Sequence, residues 1–287
     1  MEIKYRLKHQ LKLYRWLMRR FTASIRWGAE SLHSTPAVLG NAMPKSGSHL
    51  IIQVLKGLTN IGPFVDPGMP PVNRGEDNRK LSEIAILANI QQMKAGDIAY
   101  GYIHARQPFI SVLTASGKAT VFVYRDPRDM IISHVFYATQ IQPKHGMRHY
   151  YTEVLTSIED RINAAILGVD EPGSELSSVR QKYENYLGWL DKPEVLSLRF
   201  EDLILNRDAT LERLLDYLKV RGYLPKISYQ EAVDRLKQAI IPKKSGTFRK
   251  AQPGNWREYF TPANKALFKE VSGDLLVSLG YEASVNW

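Results

Sequence analysis

Lys45, Ser46 and Ser48 stand around Gly47 in the stretch Asn41-Ala42-Met43-Pro44-Lys45-Ser46-Gly47-Ser48-His49-Leu50. The apolar run Ala37-Val38-Leu39 leads into it, and Leu50–Leu58 reads as a helix leading out. Strand, tight loop and helix N-terminus together suit a phosphate. The first amides of a helix have no carbonyl one turn back, and the helix dipole favours an anion there. Gly47 permits a positive φ or a close backbone approach. Lys45 supplies a point charge, and the two serines supply hydroxyl donors. This is not the Gly-Lys-Ser/Thr order of a Walker A loop, because the lysine precedes the glycine by two residues. A polar turn that merely caps a helix would have the same composition.

Two further chemical groups follow expected strands. Ile98–Ile103 ends at His104, whose imidazole, with an ordinary pKa near 6.5, can take up a proton. Lys118–Tyr124 is a nearly continuous apolar, β-branched run, as expected of a strand buried on both faces. It ends in Arg125-Asp126-Pro127-Arg128-Asp129, which puts the cation of Arg125 directly after the strand. The plainer readings are a surface histidine and a solvated ion cluster with Pro127 opening a helix. A third basic stretch, Pro242–Pro253, carries Lys243, Lys244, Arg249 and Lys250.

The elements that must position these groups alternate in type. Pro63–Asn78 reads as an irregular excursion and Leu81–Met93 as a helix. A short helix over Pro108–Leu113 precedes the 118–124 strand, and a helix from Pro127 through about Ala138 follows it. After a polar loop, Gln140–His149, helices are predicted over Tyr151–Leu167 and Leu176–Leu190. Val195–Phe200 is a fourth strand. Helices are expected over Ala209–Leu218, Tyr229–Gln238 and Pro262–Leu279, the last with Thr261 as N-cap. Such alternation predicts an α/β three-layer sandwich with a central parallel sheet. In such sheets the ligand lies beyond the carboxyl ends of the strands, which would put Lys45, His104 and Arg125 around one crevice.

The chain has 287 residues, 44% hydrophobic and 24% charged, with no cysteine. That composition reads as a soluble globular protein, without disulfides or thiolate-bound metal, and fits a reducing, cytoplasmic compartment. No apolar run reaches the roughly 20 residues of a membrane span. Residues 1–35 hold eight Lys/Arg against two acidic residues, so +6 of the net charge of +10 sits in this segment. Ile3, Leu7, Leu11, Tyr14, Met18, Phe21 and Ile25 recur in steps of three and four, one face of a helix. Residues 1–35 therefore read as a basic amphipathic helical segment ahead of a domain over 36–287. Its apolar face is expected to pack on that domain or on a second subunit, with an anionic membrane surface as the other reading. His145 and His149 could contribute to a metal site only with a third ligand.

Four separated blocks make the chain resemble the cytosolic-type sulfotransferases, which use 3′-phosphoadenosine 5′-phosphosulfate (PAPS). They are Pro44-Lys45-Ser46-Gly47-Ser48; Tyr124–Asp129 with Ser133; Phe200-Glu201-Asp202-Leu203; and Phe248-Arg249-Lys250-Ala251 with Gly254-Asn255-Trp256. The resemblance spans about residues 36–280 and implies a P-loop NTPase-like fold and sulfuryl transfer to a hydroxyl or amine. It implies Lys45 at the bridging oxygen, and Ser46, Gly47, Ser48 and His49 on the 5′-phosphate. Arg125, Ser133, Arg249 and Lys250 would hold the 3′-phosphate, Ser133 also bonding Lys45 before the sulfonate arrives. Phe200 and Tyr229 would pack on adenine, near Leu50 and Ala251, with His104 as the base. No metal is implied.

Where the family often has lysine two residues before the histidine, this chain has Tyr102; where the loop often ends in tryptophan, it has Leu50. Ala251 and Asn255 replace glycine and aspartate, and the dimer motif of the animal enzymes is not evident. The implied partner is a small-molecule, glycolipid or glycan acceptor rather than nucleic acid, with peripheral membrane contact through residues 1–30 as a further expectation. Its pocket is expected between Pro63–Asn78, Gln140–Tyr151 and His104. Two other classes fit the residues themselves. One is a P-loop-type kinase, which would use ATP and fail in EDTA. The other is a non-catalytic module binding anionic nucleotides or lipids.

Overall fold

The computed structural model describes residues 2–241 and 252–287, with side chains from residue 6 onward. In chain order the helices and strands are α1 (Glu2–Trp27), α2 (Ala29–Ser34), β1 (Ala37–Ala42), α3 (Ser48–Gly57), α4 (Glu83–Gln91), β2 (Ile98–Gly101), α5 (Phe109–Thr114), β3 (Lys118–Tyr124), α6 (Pro127–Phe136), α7 (Ile158–Leu167), α8 (Val179–Leu187), β4 (Val195–Arg199), α9 (Phe200–Leu205), α10 (Arg207–Val220), α11 (Tyr229–Ala239), α12 (Pro262–Ser272) and α13 (Leu275–Ser278). They pack as two compact bodies. The first takes in the chain up to Tyr124 and resumes at Gly188; the second runs from Arg125 to Leu187 and resumes in the segment that ends at Trp287.

All four strands belong to the first body and pair in parallel in the order β2-β1-β3-β4. Every residue of β1 is buried, and every residue of β3 after Lys118. Successive side chains of a strand point to opposite faces, so unbroken burial requires cover on both. This is the three-layer α/β arrangement that the sequence predicts. β2 stops at Gly101, two residues short of the expected Ile103, because the backbone of Ile103 pairs with a side chain, that of Asn41, rather than with a ladder.

In the second body, Asp126 caps α6 by accepting from the Arg128 amide at 2.9 Å, with Pro127 in the first turn. The predicted Tyr151–Leu167 helix is interrupted. A π-turn over Tyr150–Val154 ends, and α7 starts afresh where Ser157 accepts from the Asp160 amide. Thr261 caps α12 in a reciprocal box with Asn264, and Gly273, at φ 57°, separates α12 from α13.

Within the N-terminal segment Glu2–Trp27 is one continuous helix, α1, followed after Gly28 by the short α2, but the apolar face of α1 does not pack on the described residues of the domain. Leu7, Leu11, Tyr14, Met18, Phe21 and Ile25 are each between 46% and 71% exposed. The opposite face is held instead. Lys12 pairs with Glu76 at 2.8 Å, and Asp97 accepts from Trp16 Nε1 at 2.9 Å and from Arg20 Nη1 at 2.8 Å. Ala23 packs with Leu32 and Val65 beneath. Asp97 is nearly buried, and its two charge-assisted hydrogen bonds fix which face of α1 is turned inward.

Candidate active site

The loop after β1 is wound tightly. Ser46 N donates to the Met43 carbonyl at 3.1 Å, and Met43 N to Val123 at 3.2 Å. Lys45 and Gly47 both lie in the left-handed region, at φ 67° and 92°. Alternating hand turns successive amides into one concavity, an anion-binding nest. α3 opens at Ser48, so its first amides are available as well. Ser46 is fully buried, and its hydroxyl has no hydrogen-bond partner among the described residues. A buried orphan donor normally costs about 1–3 kcal/mol. An oxyanion seated in the concavity would satisfy it, so the loop fits a phosphate.

Only glycine fits at position 47. A Cβ there would lie 2.4 Å from Cδ2 of Phe200, and the positive φ disfavours any side chain. Phe200 itself is buried at the start of α9, so its ring buttresses the loop. If the loop holds the 5′-phosphate, as the resemblance implies, Gly47→Ala should lower affinity for the desulfated nucleotide 3′-phosphoadenosine 5′-phosphate (PAP) about ten- to a hundredfold. Clash and a left-handed alanine together cost about 1–3 kcal/mol. Adding Phe200→Ala should recover part of that loss. Unchanged PAP affinity in Gly47→Ala, measured by calorimetry, would mean that the phosphate binds elsewhere.

His104 follows a clamped backbone. Asn41, fully buried on β1, donates to the Ile103 carbonyl at 2.9 Å and accepts from the Ile103 amide at 2.8 Å. Trp189 Nε1 donates to the same carbonyl at 2.8 Å. One strand thus carries the lysine loop and, through Asn41, fixes the residue before the histidine. Tyr102 donates its hydroxyl to Ser48 Oγ at 3.0 Å, tying the two segments a second time. Burial holds the pKa of His104 below 6.5, and the Arg106 and Lys80 charges push the same way. His49 is lowered too, by burial and then by Lys45. His104 is therefore neutral at pH 7, the form a base requires. Sequence reasoning assigned no role to Asn41 or Trp189; the amide in an otherwise apolar strand was the available signal.

The remaining expected nucleotide contacts are distributed over both bodies. Leu50 is buried on α3. Tyr229 opens α11 with its hydroxyl donating to Asp216 at 3.0 Å. In the second body Arg125 Nη2 lies 3.6 Å from Asp129, and Ser133 is half-buried on α6. Arg249, Lys250 and Ala251 lie outside the described residues, as does most of the basic 242–253 stretch.

The Arg125–Asp129 block is not a solvated cluster. Arg128 is 2% exposed, bonded to Asp126 at 2.7 Å, and lies 4.1 Å and 4.5 Å from the ring centres of Trp256 and Trp287. Asp129, 1% exposed, accepts from the Gly254 and Trp256 amides, each at 2.8 Å. Burial pushes the Asp129 carboxyl pKa up, against the pull of Arg125 and those two amides. The Gly254-Asn255-Trp256 block is thereby anchored to α6.

His145 accepts from the Met147 amide and packs edge-on to His134. Among the described residues no group of three or more His, Asp or Glu could hold a metal ion.

The Pro63–Asn78 excursion lines a cavity of about 310 Å³ together with α1, α3 and β2, but neither His104 nor any residue of Gln140–Tyr151 lines it, so it is not the acceptor pocket expected between those segments. Trp16, Ile52, Met69, Val72, Met93 and Tyr100 form much of its wall. Periodicity does not reveal that α1 roofs it, because the helix docks through its less apolar face.

Residues 36–280 match the family described as sulfotransferase domain. No curated protein sequence matches the chain. Among solved structures, mouse sulfotransferase SULT7A1 complexed with PAP superposes with a TM-score of 0.58 at 14% identity, over 90% of this chain and 93% of that one. Retinol dehydratase in complex with androsterone and inactive cofactor PAP gives 0.55 at 13% identity, over 86% and 83%. At these identities the structural likeness speaks for the fold, while the match over 36–280 speaks for descent: the chain belongs to the sulfotransferase domain family.

Proposed function

We propose that the chain moves a sulfuryl group from PAPS to a hydroxyl or amine of an acceptor by in-line transfer. The observation that carries this reading is the glycine loop with its orphaned Ser46 hydroxyl, on the strand whose Asn41 fixes the residue before His104. Ser46, Gly47, Ser48 and His49 hold the 5′-phosphate through the open amides and hydroxyls. Arg125, Ser133, Arg249 and Lys250 serve the 3′-phosphate, with Phe200, Tyr229, Leu50 and Ala251 around the base.

His104 takes the proton of the acceptor as its oxygen or nitrogen bonds to sulfur. The bond from sulfur to the phosphate oxygen breaks, and its electron pair stays on that oxygen. Lys45 meets the charge that collects there, as positioned cations do in phosphoryl transfer.

Transfer of labelled sulfate from PAPS to a panel of lipid, glycan and phenol acceptors tests the reading. Transfer should proceed in EDTA, and ATP should not replace PAPS. Absence of PAP affinity by calorimetry would overturn it.

A further inference from the structure

The exposed face of α1 has no covering element among the described residues of the first body, and its chemistry selects an occupant. Leu7, Leu11, Tyr14, Leu17, Met18, Phe21 and Ile25 form an apolar stripe, each between 46% and 71% exposed. At 1.5 Å per residue it runs for about 27 Å. Arg15 and Arg26, both exposed, lie about a quarter turn to one side of it, with Lys8, 3.5 Å from Glu76, beside them, and Arg6 lies about a quarter turn to the other. The opposite face is committed to Asp97 and Glu76, so the stripe cannot turn inward without breaking those bonds.

We propose that α1 docks the protein on an anionic lipid surface, its apolar stripe in the interface and its basic flanks on the headgroups. A helix with aromatic and aliphatic residues on one face and Lys/Arg beside them lies in such an interface. A second copy is the poorer occupant. From Ile3 to Trp27 the helix has no Asp or Glu, so pairing stripe to stripe would oppose like charges with nothing between them. In this reading residues 1–35 are a docking segment ahead of the domain that begins at residue 36. The proposal rests on this helix alone and needs no nucleotide.

The test is sedimentation of the full chain with vesicles of phosphatidylcholine, alone and with phosphatidylserine added. Binding should be about tenfold or more tighter with the anionic lipid. Leu11→Asp with Phe21→Asp should abolish it while melting temperature and PAP affinity stay unchanged. Arg15→Glu should weaken only the anionic preference. Failure to pellet with either vesicle overturns the proposal, as does binding indifferent to the Asp pair. A dimer in light scattering that the Asp pair dissolves, without vesicle binding, assigns the stripe to a second copy instead. Because PAP affinity is read separately, none of these results bears on the sulfotransferase reading.

Discussion

Replacing His104 with alanine is expected to lower kcat about 10²–10⁴-fold, the usual contribution of a positioned base, while PAP affinity stays unchanged. The side chain is proposed to touch the acceptor and not the nucleotide, so loss should be confined to turnover. The pH profile gives a second handle. Only the neutral imidazole can accept a proton, so activity should fall as pH drops through the pKa of His104. Burial and the Arg106 and Lys80 charges hold that pKa below 6.5, so the acid limb of kcat/KM should lie below pH 6.5. Arg106→Gln removes one cation that opposes protonation and should move the limb upward, part of the way to the ordinary value. Burial, the larger cause, remains. Turnover that survives His104→Ala would remove the base assignment, whatever the nucleotide does.

The geometry around this histidine explains what the sequence could and could not convey. The strand over 118–124 was legible because unbroken apolar, β-branched runs have few other uses, and it is observed as β3 with those bounds. The loop at Lys45 was legible because glycine, lysine and hydroxyls between a strand and a helix have a recognisable purpose. The end of β2 was not, because Asn41 replaces ladder bonds with side-chain bonds across 62 residues. Burial of Arg128 also depends on distance in the chain. Trp256, Trp287 and Glu282, all more than a hundred residues away, enclose a charge that composition alone places in water. For α1 the periodicity identified the apolar face, but of the places expected for that face the structure excludes packing against the described part of its own domain. Steps of three and four reveal that a helix has two faces; which one docks was decided by Asp97 and Glu76, outside the helix.

Lys45 should matter about as much as His104, for a different reason. Lys45→Met keeps the length of the stem and removes the charge. Its expected cost is about 10²–10³-fold in kcat, the scale of one preorganised group aimed at developing negative charge. The backbone supplies part of the aim. Lys45 sits at φ 67°, beside Gly47 at 92°, so the left-handed turn launches its side chain from the same concavity that the loop amides line. A non-glycine residue pays about 1–2 kcal/mol to stay there, and methionine pays the same. Lys45→Gly relieves that cost, yet should be as inactive as Lys45→Met. Lys45→Arg should recover little, because a planar fork on a longer stem cannot reproduce a compact point charge. If both Lys45→Met and Lys45→Gly turn over at the wild-type rate with PAP still bound, the departing oxygen is stabilised by another group and the in-line scheme needs a different cation.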